Sequence, residues 1–225
     1  MINSEKKIIH CKDCSEKSCA AAVLGATEFD LINENSMEAS FRKGDILIHE
    51  GSLNSNIIYL KSGLVKEYVK TPDNKEQILQ IVKKYSYLGL QSLFGDRVNH
   101  YSYAAIEDIT VCYIDINTFN KLVMENGVFA YQILISISRD SLNNFHRFMS
   151  QSKKRTYGKL ADSILYFSKI IYECTEFDLP FTRQEMADLI GISRESATRV
   201  LLKLKEDGII NVEDRHIIIN NMALL

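Results

Sequence analysis

Three of the five cysteines of this chain are grouped closely enough in sequence for their thiol groups to act together. Cys11, Cys14 and Cys19 lie close together near the N-terminus, and Cys112 lies in the middle of the 225-residue chain. In a reducing compartment, an N-terminal group of this kind indicates metal binding or redox chemistry more than disulfide formation. The fifth, Cys174, falls on a predicted helix, where we expect a small buried apolar side chain.

A second group of side chains suited to recognition lies between residues 194 and 203. Arg194, Glu195, Thr198 and Arg199 recur at a spacing that places them on one face at the start of a helix. Arginine bonds guanine O6 and N7 together, glutamate accepts from cytosine N4, and a threonine methyl contacts the thymine methyl. With Lys203, they predict a helix that reads base edges in the major groove of DNA. The alternative is an ordinary solvated helix face.

The elements that position this group form a predicted helix-turn-helix over residues 182–208. Thr182, with Glu185 three residues later, makes a capping box that begins the first helix. Gly191 permits the left-handed turn that ends this helix, and Ser193 caps the second helix. The two helices are expected to pack through an apolar seam that consists of Ala187, Ile190, Ile192, Ala197, Val200, Leu201 and Leu204.

Two short strands are predicted after the second helix. Residues 209–212 and 216–219 flank Asp214 and Arg215, which form the turn between them. This pattern predicts a wing whose backbone and Arg215 contact DNA phosphate. A small helical hairpin with a β-hairpin behind it, and no role in DNA binding, is the alternative for the whole segment.

The segment from about residue 41 to residue 115 is predicted to form short strands separated by turns. Turn-forming residues recur at short intervals, as at Gly44, Gly51, Gly63 and Pro72. Many short strands at this spacing predict a barrel or roll. The predicted strands cover residues 46–48, 57–60, 64–69, 78–82, 103–106 and 110–114.

Helices are predicted on either side of this roll. One covers residues 27–35, with Thr27 as its N-cap, and another covers residues 156–174. A long helix over about residues 126–150 carries an incomplete apolar stripe of Phe129, Ile133, Ile137, Leu142, Phe145, Phe148 and Met149. We expect this stripe to pack either on the roll or on the same helix of a second chain.

Composition bounds the class of protein. A hydrophobic fraction of 46%, a charged fraction of 25% and a formal net charge of −2 are ordinary for a globular protein. No apolar run reaches the roughly 18–20 residues of a membrane span, and the first ten residues lack the apolar segment of a secretory signal. We therefore expect a cytoplasmic protein that does not bind membranes and whose DNA-binding charge is local.

Together these elements predict an α+β protein of four parts. Residues 1–25 form a cysteine-bearing leader, residues 26–125 a β-roll sensor domain, residues 126–152 a dimerisation helix, and residues 153–225 a winged helix-turn-helix domain. The sequence has no nucleophile–base motif, phosphate-binding glycine loop or HExxH helix. We therefore do not expect an enzyme.

Residues 193–201, Ser-Arg-Glu-Ser-Ala-Thr-Arg-Val-Leu, resemble the recognition helix of the CRP/FNR family of transcription regulators. That helix has Glu and Arg four residues apart, as Glu195 and Arg199 are here. The family also has a glycine-spaced, cyclic-nucleotide-binding-like β-roll and a long dimerisation helix, so the resemblance covers essentially the whole chain. It implies a homodimer that binds a palindromic site in double-stranded DNA and works with RNA polymerase.

The resemblance also bears on the effector. Cyclic-nucleotide-binding members hold the ribose with a Gly-Glu pair and the phosphate with an Arg-Ser pair. This chain has Gly89-Leu90 and Tyr101-Ser102 at those positions. Burying a phosphate without a charge partner is costly. We therefore expect no binding of cyclic AMP.

The cysteines instead resemble those of the oxygen-sensing FNR branch. Cys11, Cys14 and Cys19 are similar to its N-terminal motif, with a second gap one residue shorter, and Cys112 matches its fourth ligand in a late strand of the roll. The resemblance implies a 4Fe–4S cluster whose loss in oxygen lowers the affinity for DNA. Zinc bound with Cys112 or His10, a thiol switch, and cysteines without a role in the leader are the alternatives.

A regulator of the same fold that responds to another effector stays open as a further alternative. Its effector would be a haem-bound gas or a small metabolite in the roll. His10, His49, His100 and His146 are candidate haem ligands. Each of them is also explained as an ordinary surface histidine.

Overall fold

The computed structural model describes residues 17–225, without the side chains of residues 150–152. Cys11 and Cys14, like most of the predicted leader, lie outside the described residues. A 3₁₀ turn, Ala21–Val23, precedes helix α1, Ala26–Glu34. The predicted Thr27 N-cap is wrong, because the backbone N–H of Gly25 donates to the Glu28 carboxylate at 2.6 Å and the helix begins there.

The next part of the described chain folds into two antiparallel sheets that face each other. Their strands are β1 (Ser36–Phe41), β2 (Ile46–Ile48), β3 (Asn56–Ser62), β4 (Leu64–Lys70), β5 (Glu76–Lys83), β6 (Ser86–Leu88), β7 (Ser102–Ala105) and β8 (Ile109–Asp115). The first sheet has the order β1-β8-β3-β6, and the second has the order β2-β7-β4-β5. The predicted roll is confirmed, and the first sheet also contains β1 and β6, which the sequence did not predict.

Helices cover the outer face of the first sheet. They are α1, α2 (Leu90–Phe94), α3 (Ile116–Glu125) and the N-terminal half of α4 (Gly127–Lys153). Asp115 begins α3, because its carboxylate accepts from the backbone N–H groups of Asn117 and Thr118. Ile57 and Ile114 from this sheet pack there with Phe129 and Ile133 of α4. The space between the two sheets is filled by a separate apolar cluster.

The long predicted helix is confirmed, and α4 extends three residues beyond the predicted end. Its two faces differ, and the expected packing on the roll is confirmed for one of them. Phe129 and Ile133 are buried against the roll. A second set of large apolar side chains on α4 is exposed, namely Val128, Tyr131, Leu134, Leu142, Phe145 and Phe148.

The C-terminal part begins with α5, Thr156–Tyr166, and the predicted helix over residues 156–174 is therefore too long. A π-helical turn, Phe167–Ile171, ends it, and Glu173 takes a left-handed φ of 56°. The Cys174 side chain is exposed and contacts the Glu176 carbonyl at 3.0 Å, so the prediction that it is buried is wrong. The remaining elements are β9 (Glu176–Asp178), α6 (Arg183–Ile190), α7 (Arg194–Glu206), β10 (Ile210–Glu213) and β11 (His216–Ile219).

The C-terminal part packs directly on the outer face of the second sheet. Tyr68, Ile78 and Ile81 of that sheet belong to the same buried cluster as Leu189 of α6 and Leu204 of α7. Polar contacts flank this core. Lys83 Nζ, for example, donates to the Ile170 carbonyl at 2.8 Å and pairs with the Glu173 carboxylate at 2.9 Å.

None of the helices within residues 17–225 is long and apolar enough to cross a membrane.

Candidate functional site

The helix-turn-helix has the local geometry that its sequence predicts. Thr182 Oγ1 accepts from the Glu185 N–H at 3.2 Å, while the Glu185 carboxylate accepts from the Thr182 N–H at 2.8 Å. Gly191 ends α6 with a φ of 64°, and Ser193 Oγ accepts from the Ser196 N–H at 3.2 Å to begin α7. The capping box, the turn and the second cap are all confirmed.

Packing fixes α7 against α6 and leaves its other face open. Ala187 and Ala197 are fully buried, and Val200, Leu201 and Leu204 on α7 are buried beside them. The predicted seam is confirmed, although Ile192 is only half-buried at its edge. Because this seam is apolar and continuous, the orientation of α7 is set by the core rather than by surface contacts.

The predicted reading residues lie together on the open face of α7. Arg194, Glu195, Thr198, Arg199 and Lys203 are all exposed, and they line an open groove of about 810 Å³. Hydrogen bonds from its own N–H and from Ser193 hold the pKa of Glu195 below its ordinary value, so the side chain is an ionised acceptor. Lys203 instead pairs with Asp207 at 2.7 Å, one turn further along the helix.

The wing is confirmed as β10 and β11, joined by a turn at Asp214 and Arg215, with Arg215 exposed. A strand that the sequence did not predict, β9, pairs with β11. His216 links β11 to β9, because its Nδ1 lies 2.9 Å from Asp178 and its Nε2 lies 3.3 Å from Glu176. These carboxylates raise the pKa of His216. In the sequence, β9 is only Phe177 between Glu176 and Asp178. Three residues are too few for an alternation of apolar and polar side chains to predict a strand.

Cys112 lies on β8, on the outer face of the first sheet. It faces Glu38 of β1 and Tyr59 of β3 across the strands, and it is half-buried against the outer apolar cluster. A partly buried ion pair that the sequence did not predict, Lys61–Glu38 at 2.5 Å, links the strands on either side of β8.

The residues around Cys19 lie on the same outer face. Ser18 and Ala20 are buried, although Cys19 itself is exposed. The Ser18 and Tyr87 hydroxyls are 2.9 Å apart, and Ala20 belongs to the apolar cluster against which Cys112 packs. Among residues 17–225, no three His, Cys, Asp or Glu side chains are grouped to hold a metal. Cys19 and Cys112 are the two predicted ligands that lie within the described residues.

The interior of the roll contains a buried carboxylate that the sequence analysis missed. Glu67 of β4 accepts hydrogen bonds from Gln80, at 2.8 Å, and from the Tyr103 hydroxyl. Burial raises the pKa of Glu67, and the nearby Arg147 guanidinium of α4 partly offsets this effect. Leu90, at the position where a cyclic-nucleotide-binding member would have glutamate, packs into the outer cluster.

Comparison with known proteins agrees with this architecture. Residues 38–126 match the model of the cyclic nucleotide-binding domain, and residues 158–225 match that of the Crp-like helix-turn-helix domain. The chain belongs to the CRP/FNR family of transcription regulators, which are DNA-binding proteins and not enzymes.

Named relatives and solved structures cover nearly all of the chain. The fumarate and nitrate reduction regulatory protein of Vibrio cholerae is 28% identical over 96% of this chain and 89% of its own length. The anaerobic regulatory protein of Pasteurella multocida is 27% identical over 96% and 81%. FixK2 from Bradyrhizobium japonicum has the same fold, with a TM-score of 0.77 at 19% identity, over 83% of this chain and 93% of its own.

Proposed function

We propose that this DNA-binding regulator responds to oxygen or redox state and acts in the cytoplasm as a homodimer on a palindromic promoter site. Its sensor is a 4Fe–4S cluster held by Cys11, Cys14, Cys19 and Cys112. The observation that carries the proposal is the anchoring of residues 18–20 on the sheet face that bears Cys112. The names of the relatives, which include anaerobic regulators, support the same conclusion.

The described donors fit such a centre in type, and the residues next to Cys19 pack on the sheet face that bears Cys112. Cysteine thiolates are the usual ligands of iron–sulfur clusters, and a 4Fe–4S cluster supplies an oxygen-sensitive centre when it is bound. Cys19 is held near this face by its buried neighbours, Ser18 and Ala20. Cys112 is half-buried, so it is sheltered by the sheet and still open on one side. Cys11 and Cys14 would complete the set from outside the described residues.

The same face offers a direct route from the cysteines to α4. Ala20 and Leu24, which follow Cys19, share one apolar cluster with Phe129 and Ile133 of α4. Releasing residues 18–24 from the sheet therefore removes packing from the N-terminal half of this helix. The pairing of α4 with its copy in a second chain is in this way coupled to the state of the thiols.

The exposed face of α4 is suited to that pairing. Tyr131, Leu142, Phe145 and Phe148 project at helical spacing from the side opposite Phe129, and all are more than half exposed. A row of large apolar side chains on the surface of a monomer marks an interaction site. In a two-fold dimer through α4, each copy of α7 would contact one half of a palindromic DNA site. RNA polymerase is the further partner at the promoter.

The roll interior argues against an anionic effector such as cyclic AMP. Glu67 already fills part of the space between the sheets, and its hydrogen-bonding partners are Gln80 and Tyr103. A phosphate placed there would meet the Glu67 carboxyl group, which already has Arg147 as its cationic neighbour, and Leu90 and Tyr101 do not supply the glutamate and arginine of the cyclic-nucleotide-binding members. This arrangement favours sensing at the cysteine-bearing face over sensing in the roll.

The proposal is tested by measuring iron and acid-labile sulfide in protein purified and reconstituted without air. We expect both, with a visible absorbance that bleaches on exposure to oxygen. Cys112→Ser should abolish the absorbance, whereas the matched control Cys174→Ser should retain it. Protein without iron and sulfide after reconstitution, or equal effects of the two substitutions, would contradict the proposed ligands. Bound zinc in place of iron would favour the zinc alternative.

A further inference from the structure

The ion pair between Lys61 and Glu38 lies beside Cys112 on the outer face of the first sheet. Glu38 of β1 is directly opposite Cys112 of β8, an arrangement that brings two Cβ atoms to about 5 Å of each other. Lys61 of β3 reaches the Glu38 carboxylate at 2.5 Å, although β8 lies between β1 and β3. The two side chains therefore meet over β8, on the face that bears Cys112.

The packing of β3 supports this placement of Lys61. Tyr59 is directly opposite Cys112 and packs with it in the outer apolar cluster, and Lys61 follows two residues later on the same face. Leu60, between them, instead packs in the cluster between the two sheets. The ammonium group of Lys61 and the thiol of Cys112 therefore share the face on which residues 18–20 are held.

The two members of the ion pair differ in their exposure to solvent. The Lys61 side chain is 8% exposed, whereas the Glu38 side chain is 32% exposed. Solvent screens a buried charge less than an exposed one, so the positive charge of Lys61 is the less screened of the two. Desolvation of the ammonium group also offsets much of its attraction to the carboxylate, so stability alone does not explain the pair.

We propose that Lys61 stabilises the iron–sulfur centre at Cys112 against oxidation, and that Glu38 limits this effect. The inference rests on the proposed function, because it requires the cluster. A cluster held by four thiolates is net negative, and the charges around it set its reduction potential. Transfer of one electron from the centre to oxygen makes the centre less negative, so a nearby cation disfavours this transfer and a nearby anion favours it. Lys61 and Glu38 thus adjust the oxygen sensitivity without binding iron.

The test uses full-length protein reconstituted with iron and sulfide in the absence of air. The rate at which a fixed concentration of oxygen bleaches the visible absorbance is measured for the wild type, Lys61→Met and Glu38→Gln. Lys61→Met should bleach about 10-fold faster, a usual effect of losing a group next to the ligands of a metal. Glu38→Gln should bleach more slowly. Lys61→Arg, which keeps the charge, should bleach like the wild type.

An anaerobic redox titration separates an electrostatic role from a structural one. The midpoint potential of the cluster should be lower than in the wild type in Lys61→Met and higher in Glu38→Gln. Looser packing alone would admit oxygen and accelerate bleaching in both variants, so changes in the same direction would contradict the inference. Glu38→Gln is decisive even where Lys61→Met does not fold, because Glu38 is partly exposed. A wild-type potential in that variant would refute the proposed role.

A similarly buried ion pair in the second sheet provides the matched control. Lys66 of β4 pairs with Glu76 of β5, and these side chains are exposed to a similar degree. Lys66→Met and Glu76→Gln should leave the potential and the bleaching rate unchanged, and effects equal to those at Lys61 and Glu38 would overturn the inference. Wild-type protein without iron and sulfide would overturn the proposed function as well. A wild-type cluster that Lys61→Met and Glu38→Gln both leave unaltered would overturn this inference alone.

Discussion

The Arg147 guanidinium lies over the ring of Tyr166, 4.9 Å from its centroid. Arg147 belongs to α4, and Tyr166 is the last residue of α5 in the DNA-binding half. The hydroxyl of Tyr166 continues the connection, because it donates to the Ile81 carbonyl of β5 at 2.9 Å. Helix α4, the DNA-binding half and the roll therefore meet at one aromatic side chain.

Tyr166→Phe is expected to weaken this junction and to leave the ring in place under Arg147. The substitution removes the hydrogen bond to Ile81 from a largely buried position, so the free energy of unfolding should fall by about 1–2 kcal/mol. Denaturant unfolding measures this difference. Tyr85→Phe, at an exposed tyrosine of the roll, should change it by less than about 0.5 kcal/mol. Equal stabilities of the two variants would show that the Tyr166 hydroxyl is not part of the connection.

Glu67→Gln is expected to alter the pH dependence of stability. Because burial raises the pKa of Glu67, the folded protein keeps its proton at pH values where the unfolded chain has lost it. Wild-type stability should therefore fall as pH rises from the ordinary value of 4.5 through the raised value. The variant has no such titration, so its stability relative to wild type should increase over this interval.

Chemical denaturation across this pH range measures the effect of Glu67→Gln. The control is Glu125→Gln, since Glu125 is exposed at the end of α3. A constant difference between Glu67→Gln and wild type at all pH values would mean that the Glu67 carboxyl titrates normally in the folded protein.

Phe145→Ser is expected to convert the proposed dimer into a monomer. Phe145 is 60% exposed on the apolar face of α4, so the substitution should leave the fold of each chain intact. In a two-fold dimer the substitution removes this side chain from both chains. For a central aromatic side chain, the free energy of dimerisation should become less favourable by at least about 2 kcal/mol per chain. Sedimentation over a range of concentrations should show the shift. Met124→Ser, which changes an even more exposed side chain on α3, should sediment as wild type.

Arg199→Ala is expected to reduce both affinity and discrimination for the specific duplex. A lost bidentate contact to a base costs roughly 1–3 kcal/mol, and the cost applies only where that base is present. Binding to the specific and scrambled duplexes measures the two effects. Retention of the full sequence preference would mean that another residue reads the site.

Tyr87→Phe is expected to weaken the attachment of residues 18–24 to the first sheet. This effect does not require a bound iron–sulfur cluster. It removes the hydrogen bond to Ser18, and protection of these amides against hydrogen exchange should fall about two- to ten-fold. Tyr113→Phe, in the same sheet, is the control. If both variants exchange like the wild type, the Ser18–Tyr87 contact does not anchor this segment.

The helix-turn-helix could be predicted in detail because its signals are local. Thr182, Glu185, Gly191 and Ser193 each act on neighbouring backbone groups, and the structure has every one in its expected role. The β-roll was predicted for a similar reason, since the turns at Gly44, Gly51 and Gly63 all have positive φ. The three-residue strand β6 and the edge strand β1, which has no buried residue, carry too little alternation to be recognised.

What sequence reasoning missed depends on contacts between distant residues. The end of α5 was misplaced because nothing between Phe167 and Cys174 breaks a helix locally, whereas the hydrogen bond of Ser168 to the Cys174 carbonyl closes the turn. Glu67 looked like an ordinary exposed acid of a strand. Its burial depends on Gln80, Tyr103 and Arg147, which come from three other elements.

The shared core beneath α6 changes what a genetic screen on this regulator would find. Ile78 and Ile81 are encoded with the sensor, yet they pack in the same cluster as Leu189 and Leu204 of the DNA-binding half. Alleles that lock transcription on or off should therefore arise in β5, far in the gene from the recognition helix. Exchanging the C-terminal half for that of another regulator would leave this seam mismatched, so a functional chimaera would need to carry the outer face of the second sheet with it.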